Sequence, residues 1–240
     1  MWSNWLTTVL VIDDAKGAAE LFADALEKRL GVDVRSCFDA AAVTGEFARE
    51  VAADLALVDL TFPGQGPRNG ADALRVLGEA SPATVLAVLT RADPGVHDLL
   101  RDVWGVLPIS GMISKNGSVE QQLSMVERLL NGESPVIDAE LAQFVTERSS
   151  TRTLETYARL VGHAGHAKLW RALMEFERPP TYGELAARTG LAVNSLRNYR
   201  SQILPELRPH GLVDPPLRDL HAFARRSGPF LRPHVEARLP

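Results

Sequence analysis

Apolar positions in the first half of the chain follow two alternating patterns. Short continuous runs (Thr8-Val9-Leu10-Val11-Ile12, Leu55-Ala56-Leu57-Val58, Val85-Leu86-Ala87-Val88-Leu89 and Met112-Ile113-Ser114) have the length and apolar content of strands buried on both faces. Between them the apolar residues fall at helical spacing. Ala18, Ala19, Leu21, Phe22, Ala25, Leu26 and Leu30 make one such stretch, stopped by Gly31. Further amphipathic helices are predicted over 39–52, 71–79, 93–103 and Val119–Leu130, the last closed by Asn131-Gly132. Residues 32–37 alternate as a short strand, 111–115 form the fifth, and the Pro- and Gly-dense stretch 62–70 is a loop. Strands alternating with helices predict a doubly wound parallel sheet of five βα units with flavodoxin-like topology.

The second half has no strand pattern. Residues 137–161 read as a long helical connector, with Leu141, Phe144, Val145, Leu154, Tyr157, Leu160 and Val161 in a broken register. A helix over 167–176 follows, then a turn at Arg178-Pro179-Pro180-Thr181 and a helix Tyr182–Thr189. The turn Gly190-Leu191-Ala192 leads into a helix over 193–204 that Pro205 is expected to end. Two short helices about a glycine turn predict a helix-turn-helix. Ala186, four residues before Gly190, lets the helices approach, and Gly190 allows the turn a positive φ. Leu196, Tyr199 and Ile203 form a buried stripe, leaving Asn194, Arg197, Asn198 and Ser201 outward. Those residue types read base edges or hold phosphates, with Arg200, Arg188 and Arg171 as candidate backbone contacts. Residues 207–240, rich in Pro and Arg, have room for one or two more helices, expected to be solvated. The organisation predicted is an α/β unit over 1–132, a helical linker over 133–162, and an all-α unit over 163–240.

Charge separates the halves. Residues 1–135 hold 19 Asp/Glu and 11 Lys/Arg, whereas 136–240 hold 11 and 15, within a net charge of −4. An acidic first half suits a metal-dependent phosphoacceptor, and a basic second half suits a polyanion. Cys37 is the one cysteine, which excludes an intrachain disulfide framework and fits a reducing compartment. No stretch approaches the roughly 20 apolar residues of a membrane span, so the expected location is the cytoplasm.

The candidate chemistry lies where the strands end. The four runs lead into Asp13-Asp14, Asp59, Thr90 and Lys115. In an open parallel sheet, side chains at the carboxyl ends of the strands converge on one crevice. Three carboxylates there call for a divalent cation, and Mg²⁺ beside a lysine calls for a phosphate. Asp59, followed by an open Pro-Gly loop, is placed as a nucleophile that would take a phosphoryl group in line. Lys115 and Thr90 would each hold one phosphoryl oxygen. In the second half, His163 and His166 form a His-x-x-His pair without a third ligand for a metal.

In this order and spacing, residues 7–131 resemble the receiver domain of two-component response regulators. The resemblance implies that Asp59 is the phosphoacceptor and that Asp13 and Asp14 are the acidic metal pair for Mg²⁺. It further implies that the backbone carbonyl of Thr61 is another metal ligand, Thr90 the switch hydroxyl, and Lys115 the pocket lysine. Residues 168–207, through Glu184-Leu185-Ala186, Ser195-Leu196, Tyr199 and Ile203, are similar to the LuxR/NarL-type helix-turn-helix. Together these imply a cytoplasmic, DNA-binding response regulator. It would be phosphorylated by a histidine kinase and act as a homodimer on double-stranded promoter DNA to regulate transcription. It would not be an enzyme beyond weak self-phosphorylation and self-dephosphorylation. The chain departs from the receiver pattern in four places. Met112 stands where receivers carry Tyr or Phe, Arg91 where they carry a small residue, and Asn116 follows the lysine; the 59–70 loop is also longer than the common form. These departures leave two alternatives open: a phosphorylation-independent transcription factor, and a receiver-coupled protein-interaction module that does not bind DNA.

Overall fold

In the computed structural model, which describes residues 7–64, 66–145 and 150–239, the apolar runs of the first half lie side by side as a parallel sheet. Its strands are β1 (Thr8–Ile12), β2 (Asp33–Cys37), β3 (Leu55–Val58), β4 (Val85–Thr90), β5 (Ile109–Ser114) and β6 (Val136–Ile137), in the order β2-β1-β3-β4-β5-β6. The flanking helices are α1 (Lys16–Leu30), α2 (Gly45–Val51), α3 (Gly70–Ala80), α4 (His97–Val106) and α5 (Val119–Leu130). The strand order reverses between β1 and β3, where an open α/β sheet forms its crevice. Alternate strand residues, among them Val9, Val11, Leu55, Leu57, Leu89 and Ile113, pack against Phe22 and Leu26 of α1 and Leu123, Val126 and Leu129 of α5. The pleat turns the others to the opposite face.

Local chemistry sets the helix ends. Gly31 stops α1 at φ +67° while its N–H bonds to the Glu27 carbonyl. Asn69 and Asp72 form a capping box at the start of α3, and Ser118 and Gln121 form another at α5. The helix predicted over 39–52 is divided. Asp39 caps a 3₁₀ turn at Ala40–Ala42, and Thr44 then caps α2 from the Phe47 N–H, so two successive caps restart the backbone. The helix predicted over 93–103 likewise opens as a 3₁₀ turn, Pro94–Val96, before α4.

The connector predicted over 137–161 is not one helix. Val136 and Ile137 pair with Gly111 and Met112 as a sixth strand, and the Asp138 N–H continues the ladder to the Met112 carbonyl. The otherwise unpaired edge of β5 supplies the reason, since its backbone groups need partners. A 3₁₀ turn, Ala142–Phe144, follows, with Leu141 and Phe144 buried. The chain divides into two compact units, Met1–Arg148 and Ser149–Pro240. The interval 133–162 is therefore shared between the units rather than standing apart as a linker.

The second unit is all helical: α6 (Ser150–Leu160), α7 (Ala164–Glu175), α8 (Tyr182–Thr189), α9 (Val193–Leu207), α10 (Leu217–Arg226) and α11 (Gly228–Glu236). Trp170 lies at its centre, fully buried, with its indole N–H on the Leu160 carbonyl at 2.8 Å. Gly165 lets α7 meet α9 closely, because a Cβ there would stand 2.6 Å from the Tyr199 ring and force it to shift. Two expectations are corrected. Helix α9 continues through Pro205, which removes only one hydrogen bond near the helix end while Leu207 beyond it is buried. The C-terminal stretch is not a solvated appendage: Leu220, Phe223, Phe230, Leu231 and Val235 are all buried, and α10 and α11 pack on α7.

Candidate functional site: a carboxylate pocket and a helix-turn-helix face

The sheet ladder brings the strand-end residues together. The Asp13 N–H bonds to the Cys37 carbonyl, the Asp59 N–H to that of Ile12, and the Lys115 N–H to that of Thr90, so all three leave the sheet at one edge. Asp59 is the hub. Its Oδ1 accepts the Leu60 N–H at 2.6 Å and the Thr90 hydroxyl at 2.8 Å, and its Oδ2 meets the Lys115 ammonium at 2.5 Å. Lys115 also reaches Asp13 Oδ2 at 2.7 Å, while Asp13 Oδ1 accepts the Ala15 N–H. The Thr61 N–H lies 3.3 Å from Asp59 Oδ1, on the exposed side of the hub. Arg91 is exposed, and the ammonium in the pocket is that of Lys115.

Asp13, Asp14 and Asp59 each offer an oxygen within 4.8 Å of the other two. Three carboxylates facing one ammonium leave surplus negative charge in a partly desolvated site. That imbalance and the all-oxygen donor set fit a hard divalent cation such as Mg²⁺. Burial, and then the Asp59 and Asp13 carboxylates, hold the Asp14 carboxyl above its ordinary value. A carboxylate whose folded value is raised costs stability when ionised, and that cost is relieved as pH falls through the folded value. Asp14→Asn should therefore raise the melting temperature of the metal-free protein at neutral pH. It should also shrink the further rise expected on adding Mg²⁺, a pair of effects read by calorimetry with and without the ion.

Two residues that hold this pocket escaped sequence reasoning. A Cβ on Gly70 would lie 1.6 Å from the Asp59 carbonyl oxygen, so α3 can start against β3 only at a glycine. Glu140, beyond β6, accepts from the Ser114 hydroxyl at 2.5 Å and from the Asn116 amide at 2.9 Å, one on each side of Lys115. Neither had a local signal, because both partners are distant in sequence.

In the second unit Asn194, Arg197, Asn198 and Ser201 are exposed along α9 at helical spacing, and Gly190 takes φ +69° between α8 and α9. The Arg197 guanidinium lies over the Tyr182 ring at 5.4 Å, and the Ser201 hydroxyl donates to the Arg197 carbonyl. Arg200 does not share this face. It is half-buried, donating to Asp214 Oδ1 at 2.5 Å and to the Pro215 carbonyl at 2.8 Å, and so braces the loop before α10. Arg171 and Arg188 both bond to Glu175. The His163 and His166 rings lie 3.9 Å apart, tilted by 34°, and both meet the Gln202 side-chain oxygen, tying α7 to α9. Among the described residues no helix is long and apolar enough to cross a membrane.

No family model and no curated protein sequence matches this chain. Solved structures do. RcsB from Salmonella enterica serovar Typhimurium, bound to promoter rprA with the phosphomimetic BeF₃⁻, is 18% identical and superposes with a TM-score of 0.51 over 92% of this chain and 98% of its own. Two RcsB dimers bound to parallel DNAs give 16% identity and a TM-score of 0.51 with the same coverage. The RcsB–DNA complex of a two-component response regulator gives 16% and 0.50, again at 92% and 98%. At that identity the likeness is one of fold, and it spans both units: the chain has the fold of full-length two-component response regulators, a receiver-type α/β unit followed by an all-helical unit with a helix-turn-helix.

Proposed function

We propose that this chain is a DNA-binding response regulator whose first unit accepts a phosphoryl group on Asp59. The observation that supports this best is the convergence on one buried carboxylate of the Thr90 hydroxyl and the Lys115 ammonium, with Asp13 and Asp14 beside it. An Asp59 oxygen would form its bond to phosphorus as the donor's nitrogen–phosphorus bond breaks, the departing imidazole of a histidine kinase taking a proton. Lys115 would move from pairing the bare carboxylates to pairing a phosphoryl oxygen, and Thr90 would donate to another. Asp13, Asp14, Asp59 and the Thr61 carbonyl would hold Mg²⁺, which when bound would offset repulsion between these carboxylates and the incoming phosphate oxygens. The chain acts here as an acceptor rather than an enzyme acting on other molecules. Phosphorylation would bias the first unit between two states, and a homodimer would place two α9 helices on successive turns of duplex DNA.

The test is intact mass after incubation with Mg²⁺ and a small acyl phosphate. Wild type should gain one phosphate and Asp59→Asn none. No adduct on wild type, under conditions that label a control receiver, would sink the reading. It would favour a phosphorylation-independent regulator, for which the buried Met112 in place of an aromatic is the motivating observation. In the second unit, Arg197→Ala should weaken specific DNA binding by about 1–3 kcal/mol if Arg197 reads a base. An unchanged affinity in a salt titration would remove it from the interface. Absence of any salt-sensitive retention by wild type would point to a protein-binding module instead.

A further inference from the structure

We infer that Glu140 is a positioning residue for Lys115, and that the strap carrying it, β6 and the turn after it, is fastened to the phosphoacceptor pocket. The inference rests on the function proposed above and extends the site to a segment outside the five βα units. Lys115 is flanked by Ser114 and Asn116, and both give their side-chain hydrogens to the one Glu140 carboxylate. The Asn116 N–H also bonds to the Ser114 hydroxyl oxygen, so the peptide around the lysine is closed into a small ring of hydrogen bonds. A carboxylate accepting two donors fixes both of its neighbours, and charge-assisted bonds of this kind are the stronger class. These same bonds hold the Glu140 carboxyl below its ordinary value.

Glu140 is itself held in place. Its N–H bonds to Asp138 Oδ1 at 2.8 Å, and the Asp138 N–H bonds to the Met112 carbonyl at the end of the β6 ladder. One turn on, Phe144 stacks on His97 at 4.2 Å, and the His97 Nε2–H donates to the Ala92 carbonyl, two residues past Thr90. The strap thus touches the segment after β5 that carries the lysine and, through Phe144 and His97 at the start of α4, is joined to the loop that follows the Thr90 hydroxyl. A shift of Lys115 toward a phosphoryl oxygen would be felt at Glu140, and release of the strap would loosen Lys115. The chain runs on from this strap into the second unit.

The experiment uses the full chain and two readouts. The first, with no phosphoryl donor present, is the rate of reductive methylation at Lys115, followed by peptide mass and normalised to the exposed Lys16 and Lys28. Glu140→Ala should speed it severalfold, Glu140→Gln should fall between, and Glu133→Gln, an exposed carboxylate paired with Arg128, should leave it unchanged. The second is the rate of phosphate adduct formation, expected to slow about tenfold in Glu140→Ala, the scale on which displaced positioning groups act. Ser114→Ala combined with Glu140→Ala should have clearly less than the sum of the two single effects, because both remove the Ser114–Glu140 bond. Lys115 methylation at the wild-type rate in Glu140→Ala, or fully additive effects in the double variant, would overturn the inference. If wild type takes up no phosphate while Glu140→Ala still frees Lys115, the positioning role stands and the proposed function falls.

Discussion

Gly70→Ala is expected to lower the stability of the first unit by about 3 kcal/mol or more and to abolish the Asp59 adduct. The added methyl would stand 1.6 Å from the Asp59 carbonyl oxygen, 2.7 Å from its carbon and 2.9 Å from Leu60 Cα. All three are backbone atoms, so no side chain can swing aside; either α3 retreats or the peptide carrying Asp59 moves. The Gly70 N–H also bonds to the Leu60 carbonyl, so retreat of α3 costs that bond too. For a unit of this size the loss corresponds to a fall in melting temperature of about 6–12 °C. Gly95→Ala is the control, since a Cβ there meets nothing within 4 Å. Equal melting temperatures for the two variants would refute the close approach.

Phe223→Ala should disable the helix-turn-helix from outside it. Phe223, on α10, is buried against Trp170, Tyr157 and His210, at ring separations of 5.8, 6.4 and 5.0 Å. Truncating a buried Phe costs about 3–5 kcal/mol, a large share of the roughly 5–15 kcal/mol that holds a domain folded. Peptide-resolved hydrogen exchange should show protection collapsing across α7 to α9, with β1 to β5 as in wild type. Salt-sensitive DNA retention should be lost with it. Unchanged exchange in α9 would mean that the C-terminal helices are dispensable to the fold.

The strand-end constellation was legible because Asp13, Asp59 and Thr90 each directly follow four or more consecutive apolar residues, and Lys115 closes the shorter run Met112-Ile113-Ser114. Asp13, Asp59, Thr90 and Lys115 needed only the rule that such strands lie parallel. The α9 face was legible for the same local reason, since helical spacing separates Leu196 and Ile203 from Arg197 and Ser201. What escaped was decided by distant partners. Arg200 reads from sequence as a candidate phosphate contact, but Asp214, fourteen residues on, draws it into the fold. Val136-Ile137 is too short a run to read as a strand, and only the open edge of β5 makes it one. Pro229 and Pro233 break the helical pattern of α11, yet Phe230, Leu231 and Val235 are buried around them. Gly70 looked like one more loop glycine, because nothing near it in sequence reveals the carbonyl it must clear.

The short sixth strand also bears on how this protein can be dissected. A fragment cut at residue 132, where the βα pattern ends, would keep Asp13, Asp14, Asp59, Thr90 and Lys115 but lose Glu140 beside them and Val136, Leu141 and Phe144 from its core. It would bare the outer backbone groups of β5 at Gly111 and Met112, a row that another chain can fill. Such a fragment would self-associate through its sheet, and any dimer it formed would be a product of the cut. A fragment carried through residue 145 keeps that edge paired, and is the one whose oligomeric state would speak for the protein.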